Sequence, residues 1–208
     1  MKILALDSSS PVASVAFVGI EEGIHEVLFR SDTPHARSDS SSLFEGLQAA
    51  VSTGGFPDRV CVGLGPGSYN GLRAGIAAAR AIATALGIPI VSLPSPLALP
   101  WPDSDFWVVG DARGGHYWIA RVREGAFFET PRLLPPGETL AHLQTQPGLP
   151  ILTSSPLAGI ESTRLATPDA ARLAIFAEKA DPIASTPEPL YLKPPHITQP
   201  RMSFPSTQ

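Results

Sequence analysis

"KILALDSSSPVASVAFV", residues 2–18, decides the fold, because "FWVVGDARGGHYWIARV", residues 106–122, repeats its plan. In each stretch an apolar strand ends in an aspartate, Asp7 in the first and Asp111 in the second. Five residues of turn-like composition follow, and a second apolar strand starts six residues after the aspartate, at Ala13 and at Tyr117. Strand–turn–strand units are common. One at the head of each half of a chain points to duplication. The Pro-rich stretch "LPSPLALPWPDSD" (93–105) marks the joint. The expected organisation is α/β, with an N-terminal lobe over 1–95, a C-terminal lobe over 104–194 and a Pro-rich tail over 195–208.

Working outward, "IHEVLFR" (24–30), "RVCVGL" (59–64) and "IPIVSL" (88–93) read as further strands of the first lobe. "SSSLFEGLQAAVS" (40–52) places Leu43, Leu47, Ala50 and Val51 at helical spacing, and Ser42 with Glu45 fits a capping box. Residues 71–86 form a second helix, stopped by Gly87 and Pro89. Past residue 124 the patterns weaken: 135–146 reads as a helix, "PILTS" (150–154) as a strand and "PDAARLAIFAEKA" (168–180) as an amphipathic helix. From Asp181 onward seven prolines favour an extended, partly disordered tail.

Composition narrows the function. Charged residues are 16% of the 208, against roughly 25% in an average soluble protein, so the surface is thinly charged and a partner covering part of it would account for this. The net charge of −4 and 15 scattered basic residues argue against direct, tight RNA binding by this chain. The single cysteine, Cys61, lies in an apolar run and reads as a buried thiol. No apolar run reaches the roughly 18 residues of a membrane span, and the start lacks a cleavable signal pattern, so a cytoplasmic protein without membrane contact is expected.

"GLGPGSYNGLRAG", Gly63 to Gly75, has five glycines between a strand and a helix, the layout of a phosphate cradle. A Walker loop needs Lys after its last glycine, and Leu72 follows Gly71. A dinucleotide fingerprint fails at Ser68 or at Asn70, and a nucleophile elbow fails because Pro66 and Asn70 flank Ser68. Two readings remain. The backbone donors attract an anion, or the glycines let a helix pack close to a sheet.

The helix that follows carries only Arg73 and Arg80 as charges, seven residues apart and so on one stripe. Leu72, Ile76, Ala79, Ala83 and Leu86 form another face, and a helix apolar nearly all round is covered on more than one side. One side covers the sheet; the alanine-rich side faces the second lobe or another subunit. Asp7 and Asp111 either share a cleft, where such a pair can hold Mg²⁺ beside a nucleotide, or each caps its own turn. The five histidines show no metal-ligand spacing, so no catalytic, metal or cofactor residue is nominated.

"LALDSSSPVASVAF" (4–17), "GLGPGSYNGLRAGIAAARAIA" (63–83), "GDARGGHYW" (110–118) and "EPLYLKP" (188–194) together resemble the bacterial TsaB (YeaZ) family. The residues that carry the resemblance are Asp7, Gly65, Pro66, Gly67, Ser68, Gly71, Arg73, Asp111 and Arg113. The resemblance implies an actin-like ATPase fold of two ribonuclease-H-like lobes. It implies a non-catalytic scaffold or activating subunit in the complex that forms N6-threonylcarbamoyladenosine at position 37 of tRNA. Catalysis is then expected in the paralogue TsaD, with the ATPase TsaE as a further partner, tRNA met only through the complex, and a homodimer as a further possibility. The family is also grouped with M22 glycoprotease-like relatives. The partner surface implied is the pair of first-lobe helices, carried by Leu43, Leu47, Val51, Leu72, Arg73, Ile76, Ala79, Arg80 and Ala83. This chain departs from many members at "ARSDSSSLF" (36–44), where a His-Ser or His-Thr pair is usual, and at His116, where Glu is frequent. The reading from another class is a nucleotide-dependent or M22 peptidase-like enzyme of the same superfamily.

Overall fold

The computed structural model describes residues 1–35, 40–183 and 186–193. The divergent helix start at 36–39 and the Pro-rich tail 195–208 lie outside the described residues. The first lobe opens with an antiparallel meander, β1 (Lys2–Asp7), β2 (Val12–Glu21) and β3 (Ile24–Pro34). Helix α1 (Ser41–Gly54), strand β4 (Arg59–Gly63), helix α2 (Tyr69–Leu86) and strand β5 (Ile90–Leu93) follow. Strands β4 and β5 run parallel to β1, giving a five-stranded sheet of order β3-β2-β1-β4-β5.

A short 3₁₀ turn over Ser95–Ala98 leads into the second lobe. It contains β6 (Asp105–Asp111), β7 (Tyr117–Arg123), β8 (Ala126–Leu134), α3 (Pro136–Leu143), β9 (Ile151–Thr153) and β10 (Thr163–Leu165). Read from the meander edge, its order is β8-β7-β6-β9-β10, with β6–β7 and β7–β8 antiparallel and β6–β9 and β9–β10 parallel. Order and strand sense match the first sheet strand for strand. This duplicated ribonuclease-H-like plan is the actin-like ATPase fold class, with β1 and β6 in the same central place.

Period-two alternation places the core. Leu4 and Leu6 of β1, with Val15, Phe17, Val60 and Val62, face α1 and α2. Ile3 and Ala5, with Ala16, Val18, Cys61 and Val91, face the opposite way. A sheet containing parallel strands buries both faces, and the cover for the second face comes from the far end of the chain. Helix α4 (Ala170–Ala177) lays Ala170, Leu173, Ala174 and Ala177 on it. Asp169 caps its start, accepting from the Ala171 N–H at 2.8 Å. Arg59 closes its end, donating from Nη1 to the Ala177 carbonyl at 2.7 Å and the Ala180 carbonyl at 3.0 Å. Thus α4 follows the second lobe in sequence and packs on the first lobe in space.

Three local expectations are corrected. Helix α1 begins at Ser41 with Ser40 in the N-cap place and no side-chain cap, so Ser42 lies inside the first turn and the Ser42–Glu45 capping box does not form. Strand β3 extends to Pro34, past residue 30. Strand β8 was not expected, because as a meander edge it alternates exposed with half-buried residues, lacks a buried apolar row and contains Pro131.

Candidate functional site

The strand-end turns and the glycine loop meet at the carboxyl ends of the central strands, where α/β sheets hold their ligands. Asp7 ends β1 and is wholly buried, at 0% exposure. Its Oδ1 accepts from the Ser9 N–H at 2.9 Å and the Ser9 hydroxyl at 2.6 Å. Its Oδ2 points to Gly63 and Ser95 and makes no well-aligned hydrogen bond. Burial pushes the Asp7 carboxyl above its ordinary value, while hydrogen bonding from Ser9 and Ser95 only partly offsets this. Burial thus favours the neutral acid over the carboxylate at this position. Gly63 makes room for it, since a Cβ there would overlap Oδ2.

The glycine loop is docked into the β1–β2 turn. The Gly65 N–H donates to the Ser95 hydroxyl at 2.9 Å, and the Ser95 N–H returns to the Gly65 carbonyl at 3.0 Å. The Ser68 N–H donates to the Ser9 carbonyl at 2.7 Å. Ser68 then caps α2 by accepting from the Gly71 N–H at 3.3 Å. The Ser8 hydroxyl donates to the Gly71 carbonyl at 2.8 Å. A Cβ on Gly67 or Gly71 would overlap the Ser9 or Ser8 carbonyl, and one on Gly75 would reach 2.6 Å from Ser8 Oγ. Gly65, at φ +85°, takes a left-handed conformation that favours glycine. Of the two readings of this loop, the structure therefore supports close packing. The N–H groups of Gly65, Ser68 and Gly71 are given to the chain's own oxygens.

Asp111 ends β6 in the equivalent place but is exposed, and its Oδ1 accepts from the Arg113 N–H at 2.7 Å within its own turn. The two strand-end aspartates are thus not a matched pair: one is sealed in and the other caps a surface turn. His116 closes that turn, its carbonyl accepting from the Ala112 N–H at 3.0 Å. The segment 188–193 then joins the lobes. The Leu190 N–H donates to the Leu64 carbonyl at 2.9 Å. Tyr191 stacks on Tyr69 with ring centroids 5.2 Å apart. Lys193 Nζ donates to the Arg113 carbonyl at 3.0 Å. All four stretches that carry the family resemblance therefore meet. Ser8, Ser9, Ser95, Tyr69 and Tyr191 were not singled out from the sequence; the run of three serines after Asp7 was the available signal for the first two.

The nine helix residues expected at a partner surface divide. Leu43, Leu47, Leu72, Ile76, Ala79 and Ala83 are buried in the chain's own core, because they are the face that covers β1, β2 and β4. Val51 is half-buried, and Arg73 and Arg80 are exposed. The outward face of the two helices is instead Phe44, at 51% exposure, with Gln48, Ala49, Ala77, Ala81 and Thr84. Arg73 is braced by its own helix, Nη1 donating to the Tyr69 hydroxyl at 2.8 Å.

Among the described residues no three His, Cys, Asp or Glu side chains gather as metal ligands. His25 pairs with Glu178 at 2.9 Å and His142 with Glu129 at 2.8 Å, both far from the glycine loop in sequence and each on a different lobe. No helix among the described residues is long and apolar enough to cross a membrane.

Residues 37–99, which span α1 and α2, match the family model described as TsaD: tRNA N6-adenosine threonylcarbamoyltransferase. An uncharacterized protein of Mycobacterium tuberculosis is 30% identical over 203 residues, covering 93% of this chain and 92% of its own length. A counterpart from Mycobacterium bovis matches to the same extent. Among solved structures, a Pseudomonas aeruginosa protein described as similar to the peptidase YeaZ superposes with a TM-score of 0.68 at 19% identity, covering 92% of this chain and 99% of that one. YeaZ from Pseudomonas aeruginosa superposes with a TM-score of 0.61 at 20% identity, over 85% and 90% of the two chains. With the duplicated fold, the four converging stretches and these matches in agreement, the chain belongs to the TsaB (YeaZ) family.

Proposed function

We propose that this chain is a non-catalytic scaffold or activating subunit that pairs with a TsaD-type transferase in forming N6-threonylcarbamoyladenosine on tRNA. The observation that carries this reading is the docked glycine loop. The Ser68 N–H donates to the Ser9 carbonyl at 2.7 Å, and Gly67 and Gly71 abut the Ser9 and Ser8 carbonyls, so the loop is packed as a support for the start of α2. The partner surface is the outward face of α1 and α2: Phe44, small alanines, and Arg73 and Arg80. Small residues permit close helix-to-helix approach, and the two arginines favour a partner helix bearing carboxylates. A second copy of the chain can use the same face when the transferase is absent. The ATPase TsaE joins the pair, tRNA is reached through the complex, and the setting is cytoplasmic.

The test is a drop-out assay. TsaD and TsaE from the same organism are incubated with threonylcarbamoyl-adenylate, ATP and tRNA, with and without this chain, and the modified nucleoside is quantified. Modification that depends on the chain supports the subunit reading. Equal modification without it overturns the reading and moves the peptidase-like enzyme forward.

A further inference from the structure

The lobes are joined covalently by two crossings, the joint over 94–104 and the link from β10 to α4 over 166–169. The crossings lie side by side, the Asp169 N–H donating to the Ala98 carbonyl at 3.0 Å. The joint enters β6 at Asp105, the end of the second sheet that α4 also touches, through Phe176 beside Gly125. Short adjacent connections of this kind are where hinges between domains form.

Strand β6 then runs away from the joint for seven residues, so Asp111 lies roughly 20 Å from Asp105. At the Asp111 end a gap of about 420 Å³ separates the lobes, with Pro11 and Val12 of the first facing Ser155, Pro156 and Leu165 of the second. Its walls are mostly apolar and Leu165 is 67% exposed, so the lobes do not pack flush there and movement has room.

Residues 188–193 cross this same end. The Leu190 N–H on the Leu64 carbonyl and the Tyr191 ring on Tyr69 anchor the segment to the first lobe. Lys193 reaches the second lobe, where Nζ donates to the Arg113 carbonyl at 3.0 Å and the Ala112 carbonyl at 3.4 Å. The turn that receives it is distinctive. Arg113, Gly114 and Gly115 have φ of +57°, +63° and +73°. A run of three left-handed residues is unusual, and here the Ala112 and Arg113 carbonyls at its start converge on one ammonium.

We infer that residues 188–193 are a strap that sets the angle between the lobes, with the Lys193 ammonium as its latch on the β6–β7 turn. A contact at the far end of β6 restrains rotation about the joint through a long lever. Lys193 is exposed, and a single contact of an exposed ammonium is weak enough to be released. The strap also rests on Tyr69, the first residue of α2, whose hydroxyl accepts from Arg73. The lobe angle is thereby coupled to the start of α2. The inference does not depend on the proposed function.

Pulsed electron paramagnetic resonance on the full chain tests it. Spin labels on Gln48→Cys in α1 and Glu138→Cys in α3, both exposed, report the distance between the lobes, and the buried Cys61 stays unlabelled. One narrow distance distribution is expected with the strap intact. Lys193→Met keeps the apolar stem and removes the donors. It should broaden the distribution or shift its mean by several ångström, since the latch lies at the end of the lever. Tyr191→Ala should do the same, and Lys179→Met, an exposed lysine off the strap, should not. Melting temperatures should stay within a few degrees of the parent, as for other surface substitutions. A broad distribution before substitution, one that Lys193→Met or Tyr191→Ala leaves unchanged, or an equal change in Lys179→Met overturns the inference.

Discussion

Gly71 lies directly against Ser8: the Ser8 hydroxyl donates to the Gly71 carbonyl at 2.8 Å, and a Cβ on Gly71 would overlap the Ser8 carbonyl oxygen. This contact fixes α2 to the β1–β2 turn and gives the glycine loop its purpose. In an ordinary helix, Gly→Ala is stabilising by roughly 0.5–1 kcal/mol. Here the sign should reverse. Gly71→Ala forces backbone apart and is expected to cost about 1–3 kcal/mol, as overpacked sites do. Chemical denaturation checks it, and a stabilised variant would mean the turn and helix are not in contact.

Asp7 should leave its mark on the pH dependence of stability. Its folded value is raised, so the folded state holds a proton that the unfolded state has released. Stability from this group is full below the ordinary carboxylate value of 3.8 and is lost as pH rises through the folded value. Asp7→Asn keeps the shape and never ionises. The variant is expected to be at least as stable as the parent at neutral pH and to lose this part of the pH dependence. Melting temperatures of both proteins across pH 4–8, about the span in which carboxyl groups of raised pKa titrate, check it. A variant much less stable than the parent at neutral pH would mean that Asp7 is held as the charged form.

Cys61 reports on α4. Its Sγ lies 3.7 Å from the Leu173 carbonyl beneath that helix, and burial pushes the thiol far above its ordinary value. It should therefore react with a thiol reagent only after the structure opens. Leu173→Ala removes a fully buried side chain from the α4 contact, a change that costs about 2–5 kcal/mol in well-packed cores. The expected result is much faster Cys61 labelling in that variant, measured by absorbance of the released dye. Unchanged labelling would show that α4 does not guard this face.

How much of this was legible beforehand follows from where each signal is stored. The duplication was readable because β1 and β6 each carry a buried apolar run, Ile3–Leu6 and Phe106–Val109, ahead of an aspartate, and burial on both faces leaves a strong local pattern. Strand β8 was not, since an edge strand buries one side only. The cover of the first sheet's second face by α4 joins residues more than a hundred positions apart, as Cys61 with Leu173, and no local periodicity records such a contact. At the glycine loop, the motif tests could reject known phosphate patterns but could not reveal that Ser8 and Ser9 would fill the space. For the helices, spacing showed that two faces were covered. It did not show which face, and the larger apolar residues proved to be the inner one.

That division of faces sets the last prediction. Ile76 is buried in the core under α2, so Ile76→Glu places an unpaired charge in an apolar interior and should unfold the first lobe rather than detach a partner. Phe44 and Ala81 face outward from α1 and α2. Phe44→Asp and Ala81→Glu should leave the melting temperature within a few degrees of the parent, as surface substitutions do. If the outward face carries the TsaD-type partner, the same two variants should lose association by at least about tenfold, through lost packing at Phe44 and a buried like or unpaired charge at position 81. Melting curves and partner pull-down, run on all three variants, separate the cases. A folded Ile76→Glu protein would overturn the assignment of the inner face. Intact association in folded Phe44→Asp and Ala81→Glu would place the partner surface elsewhere, with the exposed stack of Tyr69 and Tyr191 beside Arg73 as the next region to substitute.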